Sequence, residues 1–370
     1  MRNTPLWDPC VAHQAKEAHD FLLSFFADSC RRVLLVAGAG FDPRSAGACT
    51  TLSSVAGPRI VGVFLREERP NPDPFLVERA EQHLAAMEAA VGKSEQLRVD
   101  IFASDGAVVG GRAAVSAIGR MSLDGITDVV VDRSALSVGV GYPLVRYFFE
   151  TLRHRVAGPN LHVVVTDHPI TDNAIRVTAS DTAGTIYGFK GGFGLDKNAR
   201  NVRLWLPQLV SGKGAVLDLL SAYVRPDEVC PILPFPAIDP RLPDRLIEEF
   251  RAEFESAWEV DARNLVYAHQ RNPLDLYRTI LRIDDGRQRV FADVGGSMLI
   301  LSPLGNKALA VGALMAAMER DFPMAYVEAI SYTVDWEKLA LRREQESELV
   351  HIWLTGEAYR RPTTRTDECM

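Results

Sequence analysis

The feature that most constrains the fold is a β-strand pattern in residues 33–166 that recurs in residues 202–331, displaced by roughly 165–170 positions. In each half, short apolar β-branched runs alternate with segments of helical periodicity. This alternation predicts an α/β fold built from two tandem Rossmann-like units, each a doubly wound, mostly parallel sheet, related by internal duplication. Two such units can bring the loops at their strand ends around one composite pocket.

Each half contains five predicted strands in the same order along the chain. The first-half strands are Val33–Ala37, Ile60–Leu65, Leu97–Phe102, Asp128–Asp132 and Leu161–Thr166. The second-half strands are Val202–Leu206, Val229–Phe235, Asn264–Ala268, Met298–Leu301 and Ala325–Ile330. A long helix introduced by prolines follows a strand in both halves, at Asn71-Pro-Asp-Pro and at Asp239-Pro-Arg-Leu-Pro. These helices at equivalent positions make the two halves similar in more than the order of their strands.

Three further segments flank or join the two predicted units. Residues 1–30 contain a predicted amphipathic helix over 10–29 that packs on the first unit, which spans 31–166. Residues 167–201 form a polar, glycine-rich linker, predicted to be a hairpin or a flap, before the second unit at 202–335. Residues 336–370 are a charged C-terminal segment with a predicted helix over 337–348, an edge strand over 349–354 and a frayed tail.

Composition limits the classes of function. The 370 residues are 47% hydrophobic and 24% charged, with a net charge of −7, so the chain lacks the basic excess of a protein that coats nucleic acid. No apolar run approaches the roughly 20 residues that cross a bilayer, so we expect no membrane anchor. The five cysteines are scattered outside metal-binding or redox spacings, which predicts a reduced, cytoplasmic protein without a metal site or cofactor.

Ligands of open α/β sheets bind beyond the carboxyl ends of the strands, so the loops there are the candidate site. The first strand runs into Gly38-Ala-Gly-Phe-Asp-Pro-Arg44. Gly38 permits close backbone approach, and Asp42 and Arg44 are candidates to contact a polar ligand. The alternative is a tight turn in which Asp42 caps a helix or pairs with Arg44, and the incomplete GxGxxG spacing favours it slightly.

The fourth strand delivers Asp132-Arg-Ser-Ala-Leu-Ser-Val-Gly139 to the same edge of the sheet. Asp132 ends a buried apolar strand and needs a partner, either a ligand, a metal or neighbouring loop N–H groups, of which the last is the commonest. Ser134 and Ser137 suit anion recognition. Neither serine lies in a GxSxG elbow, so the sequence does not predict a nucleophile.

The equivalent segment of the second half is Ser302-Pro-Leu-Gly-Asn-Lys307, which leads directly into a helix. Gly305 lets the backbone approach a ligand, and the helix N-terminus presents free N–H groups beside Ser302 and Asn306. Lys307 is a cation near the positive end of a helix, a conflict that a bound phosphate would resolve. A solvated Lys307 whose stem covers apolar surface is the equal alternative.

One more strand end carries polar and aromatic groups, in Tyr267-Ala-His-Gln-Arg-Asn272. Tyr267, His269 and Asn272 are candidates to stack on a nucleobase or bind a ribose. A lone histidine such as His269 is more often structural than catalytic. No Cys/His or Ser/His/Asp set can be assembled from sequence neighbours.

Two degenerate Rossmann-like units with a strand running into Ser302-Pro-Leu-Gly-Asn-Lys307 resemble the CARF and SAVED sensor domains of prokaryotic antiphage systems. The resemblance covers roughly residues 30–335 in architecture and one short loop in motif. It implies recognition of an oligonucleotide second messenger, with Gly305, Asn306 and Lys307 as the transferable positions. Such sensors usually carry a fused effector, and none is recognisable here, so the resemblance implies a separate partner protein.

Three hypotheses follow. The preferred one is a sensor that binds a nucleotide-type ligand between its halves and acts through a partner protein, in antiphage defence if the resemblance holds. The second is a nucleotide-processing hydrolase or nuclease in which Asp132, His269 and Lys307 converge at one cleft. The third is a non-catalytic scaffold subunit whose loops only make turns.

Overall fold

The computed structural model describes residues 4–155, 157–191, 201–342 and 347–360. The elements of the first half are β1 Ala12–Gln14, α1 Ala15–Phe26, β2 Val33–Gly38, α2 Gly47–Ala56, β3 Ile60–Glu68, α3 Pro74–Ala90, β4 Lys93–Asp100, α4 Gly110–Ile118, β5 Asp128–Asp132, α5 Val138–Leu152 and β6 Asn160–Asp167.

The later elements are α6 Pro169–Ala174, β7 Ile175–Thr185, β8 Val202–Pro207, α7 Gly214–Val224, β9 Glu228–Val229, β10 Ile232–Pro234, α8 Leu242–Glu249, β11 Val266–Ala268, α9 Pro273–Val290, β12 Ser297–Ser302, α10 Lys307–Arg320, β13 Ala325–Val334, α11 Trp336–Ala340 and β14 Glu348–Thr355. No helix in these ranges is long and apolar enough to cross a bilayer.

The first half is organised around a seven-stranded, mostly parallel mixed sheet in the order β1-β14-β6-β5-β2-β3-β4. The strands from β6 to β4 are parallel, whereas β14 and β1 pair antiparallel. Because α2 leads from β2 to one side and α5 leads from β5 to the other, the strand order reverses between β2 and β5. That reversal is the topological switch point at which open α/β sheets bind ligands.

The central strands are buried on both faces of this sheet. Along β2, Leu34 and Val36 belong to one hydrophobic core, and Val33 and Leu35 to another on the opposite face. This alternation follows from the two-residue period of a strand. It explains why β2 is a continuous apolar run, as strands covered by helices on both sides are.

The second half contains smaller sheets. One has the order β12-β8-β9, a second pairs β10 with β11, and all of these pairs are parallel. Isolated bridges join Gln208 to Ile232 and Leu301 to Met324, which continues the order as β13-β12-β8-β10-β11. The reversal of order here lies between β8 and β12.

The two halves pack on each other through a shared hydrophobic core that contains residues of β5, α5, β12 and α10. The Tyr142 hydroxyl of α5 donates a hydrogen bond of 2.6 Å to the Ala310 carbonyl of α10. On the other side of α10, a Cβ at Gly312 would lie 2.2 Å from the Pro273 carbonyl oxygen. Glycine is therefore required where α10 crosses the start of α9.

All ten predicted strands overlap observed strands, although β4 begins four residues earlier than predicted and β9 and β10 divide one predicted run. Three flanking predictions need correction. The N-terminal helix is preceded by β1, the 167–201 linker contains α6 and β7, and the described part of the predicted 337–348 helix is helical only in α11. Residues 192–200, 343–346 and 361–370, which include part of the predicted flap and the predicted tail, lie outside the described residues.

The C-terminal strand was predicted at a sheet edge, and that position is wrong. β14 lies inside the seven-stranded sheet, between β1 and β6. It pairs with β6 from Glu348 opposite Asp167 to Thr355 opposite Leu161. The first unit is therefore completed by a strand that follows the second half in sequence.

A row of three histidines crosses β1, β14 and β6. His13 Nδ1 lies 3.0 Å from His351 Nδ1, His351 Nε2 lies 2.9 Å from His162 Nδ1, and His162 Nε2 lies 3.3 Å from Asp128 Oδ1. Because the Asp128 carboxylate only accepts, the simplest assignment has each neutral ring donating toward Asp128. Burial lowers the pKa of both His162 and His351, the latter well below its usual value because its histidine neighbours add to the effect.

Candidate functional site

A cavity of about 640 Å³ lies between the two halves. The loops after β2, β3 and β5 contribute one wall, and the loops after β8 and β12 contribute the other. Both strand-order reversals therefore open into the same space, within the size range of small-molecule sites.

Strands β7 and β13 form an antiparallel ribbon that covers part of this cavity. Ile175, Val177 and Ala179 line it at alternate positions of β7, as one face of a strand must. The segment 167–201 was predicted to be a hairpin or flap, but β7 in its described part instead pairs with β13, from Thr185 opposite Ala325 to Ile175 opposite Val334. Val177 of β7 and Ile330 of β13 each keep 37% of their surface exposed, so the ribbon leaves apolar surface on the cavity side.

Asp42 and Arg44 pair with each other, as the turn alternative predicted. Arg44 Nε lies 2.9 Å from Asp42 Oδ1, and Arg44 Nη2 lies 2.7 Å from Asp42 Oδ2. Arg44 Nη1 also donates to Asp172 Oδ1 at 2.6 Å. Burial alone would raise the pKa of Asp42, but Arg44 and Lys307 hold it well below its usual range. Both side chains line the cavity as a neutralised pair.

Lys307 also lines the cavity, and its side chain keeps 27% exposure. Its ammonium donates to the Ser134 carbonyl of the opposite half and lies 3.6 Å from Asp42 Oδ2. Burial, together with the charge of Arg44, lowers the pKa of Lys307. The lysine is therefore neither freely solvated nor in a close ion pair, and it joins the two halves at the cavity wall.

Two N–H groups in the first turn of α10 are not free, contrary to the prediction. Asn306 Oδ1 accepts from Ala308 N at 2.9 Å and from Leu309 N at 3.1 Å. The Asn306 amide donates to Asp167 Oδ1 at 2.5 Å. Since the cap satisfies these two donors, they are not available to an anion at Lys307.

Asp132 bonds to Ser134 of the neighbouring loop, the kind of partner that the sequence favoured. Its Oδ1 accepts from Ser134 N at 2.9 Å and from Ser134 Oγ at 2.5 Å, while Oδ2 has no hydrogen-bond partner among the described residues. Burial raises the pKa of Asp132 to about 6. Neither Asp132 nor Ser134 lines the cavity. They lie behind the cavity wall, on either side of Arg133 in sequence, and support it from there.

Arg133 is the functional candidate that sequence reasoning did not single out. Only 2% of its surface is exposed, it lines the cavity, and its Nε and Nη1 have no hydrogen-bond partner among the described residues. Its guanidinium carbon lies 4.1 Å from the centre of the Tyr142 ring, and no described carboxylate forms an ion pair with it. Burial lowers the pKa of this guanidinium. A buried cation in this state is costly without an anion.

Another part of the cavity is acidic. Arg69 Nη2 bridges Glu67 at 2.9 Å and Glu328 at 3.3 Å, with all three side chains at 10% exposure or less. The Ser137 amide donates to Glu67 Oε1 at 2.8 Å, and a Cβ at Gly139 would lie 2.3 Å from Glu328 Oε2. These carboxylates lie against the positive N-terminus of α5, where they are favourable. The cavity therefore has separate acidic and basic parts.

The remaining sequence candidates are distributed as follows. Gly305 lines the cavity, but its amide donates to Gln208 Oε1, and a Cβ there would lie 2.9 Å from that oxygen. Ser302 accepts from Trp205 Nε1. A Cβ at Gly38 would lie 3.0 Å from Ala135 C, so this glycine allows the loops after β2 and β5 to approach.

Tyr267, His269 and Asn272 do not line the cavity. The His269 amide donates to Asp275, Asn272 caps α9 through Leu274 N, and Tyr267 is 47% exposed. The structure thus brings Asp42, Arg44 and the 305–307 segment together and leaves this strand end outside. Among the described residues, no group of three or more His, Cys, Asp or Glu side chains is placed to hold a metal ion.

No protein-family model and no curated protein matches the chain. Among solved structures, the chain is similar to the cytoplasmic domain of a prokaryotic cation chloride cotransporter, with 11% sequence identity and a TM-score of 0.25. The similarity covers 80% of this chain and 95% of that chain. At this distance the likeness carries no functional argument, so function has to be argued from the cavity.

Proposed function

We propose that this chain is a binding protein that captures a nucleotide-type anion in the cavity between its halves. The observation that carries the proposal is Arg133, a buried guanidinium in the cavity wall with two nitrogens that have no hydrogen-bond partner in the described part of the chain. Lys307 adds a second cation to the same cavity wall, because its ammonium donates to the carbonyl of Ser134, the residue that follows Arg133. A phosphate beside this pair would offset the charge of the buried guanidinium, and arginine suits phosphate oxygens through its planar donors.

Apolar walls next to the cations favour a ligand with more than a phosphate. Leu76 and Val77 of α3 and Leu304 of the β12 loop line the cavity, as do Phe41 and Tyr332, whose ring centres lie 5.3 Å apart. Pockets of this kind, apolar with a few polar groups, are typical of small-molecule sites. A nucleobase and sugar would pack on these walls while the phosphate reaches Arg133.

The composite cavity also supports the proposal that the two halves descend from one duplicated unit. Each half has its reversal of strand order beside its first strand, and both reversals supply loops to this cavity. In this proposal the two ancestral ligand sites have merged into one. An oligonucleotide second messenger, acting through a separate effector protein, stays the specific form suggested by the resemblance to CARF and SAVED domains.

The binding proposal is tested by calorimetric titration and thermal shift with nucleoside mono-, di- and triphosphates and with cyclic and linear dinucleotides. We expect at least one of these to raise the melting temperature, because a ligand that binds only the folded state stabilises it by about 2.7 kcal/mol at 100 times its Kd. Arg133→Met should weaken that binding about tenfold or more, equivalent to about 1.4 kcal/mol.

The matched control is Arg112→Met, which removes an exposed arginine of α4 outside the cavity. It should leave the affinity unchanged. A panel without any binder, or equal affinity for the Arg133→Met variant and the wild type, would contradict the proposal.

A hydrolase at this site is less well supported. The enzymatic hypothesis needed Asp132, His269 and Lys307 at one cleft, and His269 is not among the residues that line the cavity. Without it, the cavity lacks the base that the hypothesis assigned.

A further inference from the structure

The row of hydrogen-bonded histidines lies outside the cavity and has a chemistry of its own. It runs from His13 of β1 through His351 of β14 to His162 of β6 and ends at Asp128 of β5, with successive contacts of 3.0, 2.9 and 3.3 Å. His162, His351 and Asp128 are fully buried, whereas His13 is partly exposed. None of these residues lines the cavity, so the row is not part of the proposed ligand site.

Asp128 determines the tautomer of every ring in the row. Its carboxylate only accepts, so His162 donates to it from Nε2 and accepts from His351 at Nδ1. His351 therefore accepts at its own Nδ1, which leaves His13 as an Nδ1–H donor with an unprotonated Nε2. Of the six ring nitrogens, His13 Nε2 alone takes no part in the row, and it belongs to the partly exposed ring.

The row can take up one proton without losing a hydrogen bond. A proton added at His13 Nε2 leaves all three contacts intact. If the hydrogen of each ring-to-ring contact then moves to the next ring, the charge reaches His162, and both contacts persist with donor and acceptor exchanged. Each of these contacts holds one hydrogen, so a second added proton would set two N–H groups against each other.

The charges around Asp128 favour His162 as the destination of the proton. Asp128 Oδ1 lies 3.4 Å from Arg31 Nη1, and Arg31 Nη2 lies 2.6 Å from Glu357 Oε1. These two carboxylates and one guanidinium carry one net negative charge, which an imidazolium at His162 would neutralise. His351 is opposed by burial and by both neighbouring rings, so it transmits the charge without holding it.

The surroundings of the rings place the proton uptake at mildly acidic pH. The Phe21 ring of α1 stacks on His13 at 4.3 Å and on His351 at 4.5 Å. Burial lowers the pKa of His13 and of His162, so uptake begins below the ordinary histidine value of about 6.5. The charged groups that act on the rings are Glu17 of α1, Asp128, Arg31 and Glu357.

We propose that the histidine row is a relay that carries one proton from the partly exposed His13 to the buried His162 at mildly acidic pH. A proton from solvent forms the Nε2–H bond of His13, and the hydrogens of the two ring-to-ring contacts each move one ring toward His162. Asp128 then faces an imidazolium as well as Arg31, and the charged group that includes Glu357 becomes neutral. The relay is thus a pH-sensitive device that joins β1, β14, β6 and β5.

NMR of the full chain with 15N-labelled histidine rings tests the relay. At pH 8 we expect His13 as the Nδ1–H tautomer and both His162 and His351 as Nε2–H. Between pH 8 and pH 5 the three rings should shift with one common midpoint and take up one proton in total. His351→Phe removes the middle ring, so His13 and His162 should then titrate with separate midpoints.

Two variants outside the row test its direction without removing a ring. Glu357→Gln removes an attracting carboxylate and should lower the common midpoint, whereas Arg31→Met removes a repelling cation and should raise it, each by about 0.5 pH unit or more. His19→Phe, at an exposed ring of α1, is the control and should leave the midpoint unchanged.

Three results would overturn the relay. The first is an Nε2–H tautomer of His13 at pH 8, and the second is a separate midpoint for each ring in the wild type. The third is uptake of no proton, or of more than one, by the three rings before the chain unfolds in acid, as followed by circular dichroism.

Discussion

At the scale of single residues, this protein keeps several charged or titratable groups in the states that burial disfavours. Arg133 and Asp132 are adjacent in the chain, both almost fully buried, yet they do not form an ion pair with each other. Asp132 bonds to Ser134, and Arg133 lies against Tyr142. The backbone at the end of β5 thus points these two opposite charges to different sides of the cavity wall. Because they do not pair, the burial of each charge destabilises the folded state separately.

Asp132 makes stability depend on pH. Its pKa is about 6 in the folded protein and 3.8 as the reference value, so the folded state binds more protons between these values. Stability is therefore lost as pH rises through this window, by about 3 kcal/mol in total. We expect the difference in unfolding free energy between wild type and Asp132→Asn to change by up to that amount between pH 4 and pH 7, with the wild type favoured at low pH.

Urea unfolding followed by circular dichroism at each pH measures this difference. Asp20→Asn, at a carboxylate with 60% exposure on α1, is the control and should show a difference that does not vary with pH. If Asp132→Asn changed the unfolding free energy by the same amount at every pH, the raised pKa of Asp132 would not explain the pH dependence.

The histidine row predicts a pH dependence of stability with the opposite sign to that of Asp132. Because burial and the neighbouring histidines lower the pKa of His351, the unfolded chain binds the proton more readily, and stability falls as pH falls below about 6.5. The groups that face this ring are His13, His162 and the Phe21 ring that stacks on it at 4.5 Å. His351→Phe should cost stability at pH 8 but reduce the slope between pH 7 and pH 5 by up to about 1.4 kcal/mol per pH unit.

The same urea series measures this effect. The exposed His19 of α1 supplies the control as His19→Phe, which should leave the slope as it is in the wild type. An unchanged slope in His351→Phe would show that the ring does not resist protonation in the folded state.

At the scale of elements, the cap of α10 connects the stability of a helix to the shape of the cavity. Asn306 both caps the helix and donates to Asp167 of β6, and it lines the cavity. Asn306→Ala should therefore lower the unfolding free energy by about 1 kcal/mol or more through the lost cap and weaken ligand binding as well.

Asn272→Ala is the matched control, because Asn272 caps α9 in the same way but lies outside the cavity. It should cost about the same stability and leave ligand affinity unchanged. Urea unfolding measures the loss of stability, and calorimetry measures the ligand affinity. Equal affinity in both variants would mean that the Asn306 cap does not position the binding loop.

At the scale of the whole molecule, β14 ties the end of the described chain to the first sheet. It separates β1 from β6 and pairs with both. A chain that stops at residue 342 should therefore lose β1 pairing, open the buried edge of β6 and fail to unfold cooperatively. Thermal melting and size-exclusion chromatography measure this loss.

A synthetic peptide of residues 347–360 provides the complement to this truncation. Its addition should restore part of the cooperative transition, whereas a scrambled peptide should not. A cooperative melt of the truncated chain alone at the wild-type temperature would show that β14 is dispensable.

The strands and most helices could be predicted from sequence because their signals are local. The apolar run of β5 and the helix start at Lys307 were predicted at their observed positions. The position of β14 and the pairing of β7 with β13 could not be predicted, since register between distant strands leaves no local signal. Arg133 was missed for a related reason: an arginine after a strand is ordinary until the structure shows that the nearby carboxylates bind other partners.

The position of β14 also bears on how the protein is made. During translation the first half emerges well before β14, which follows the whole second half in sequence, and bacterial or eukaryotic ribosomes add only about 5–20 residues per second. For that interval β6 exposes an unpaired edge of the kind that recruits foreign strands. Synthesis of this chain thus passes through a nascent intermediate whose β6 edge stays uncovered until β14 arrives.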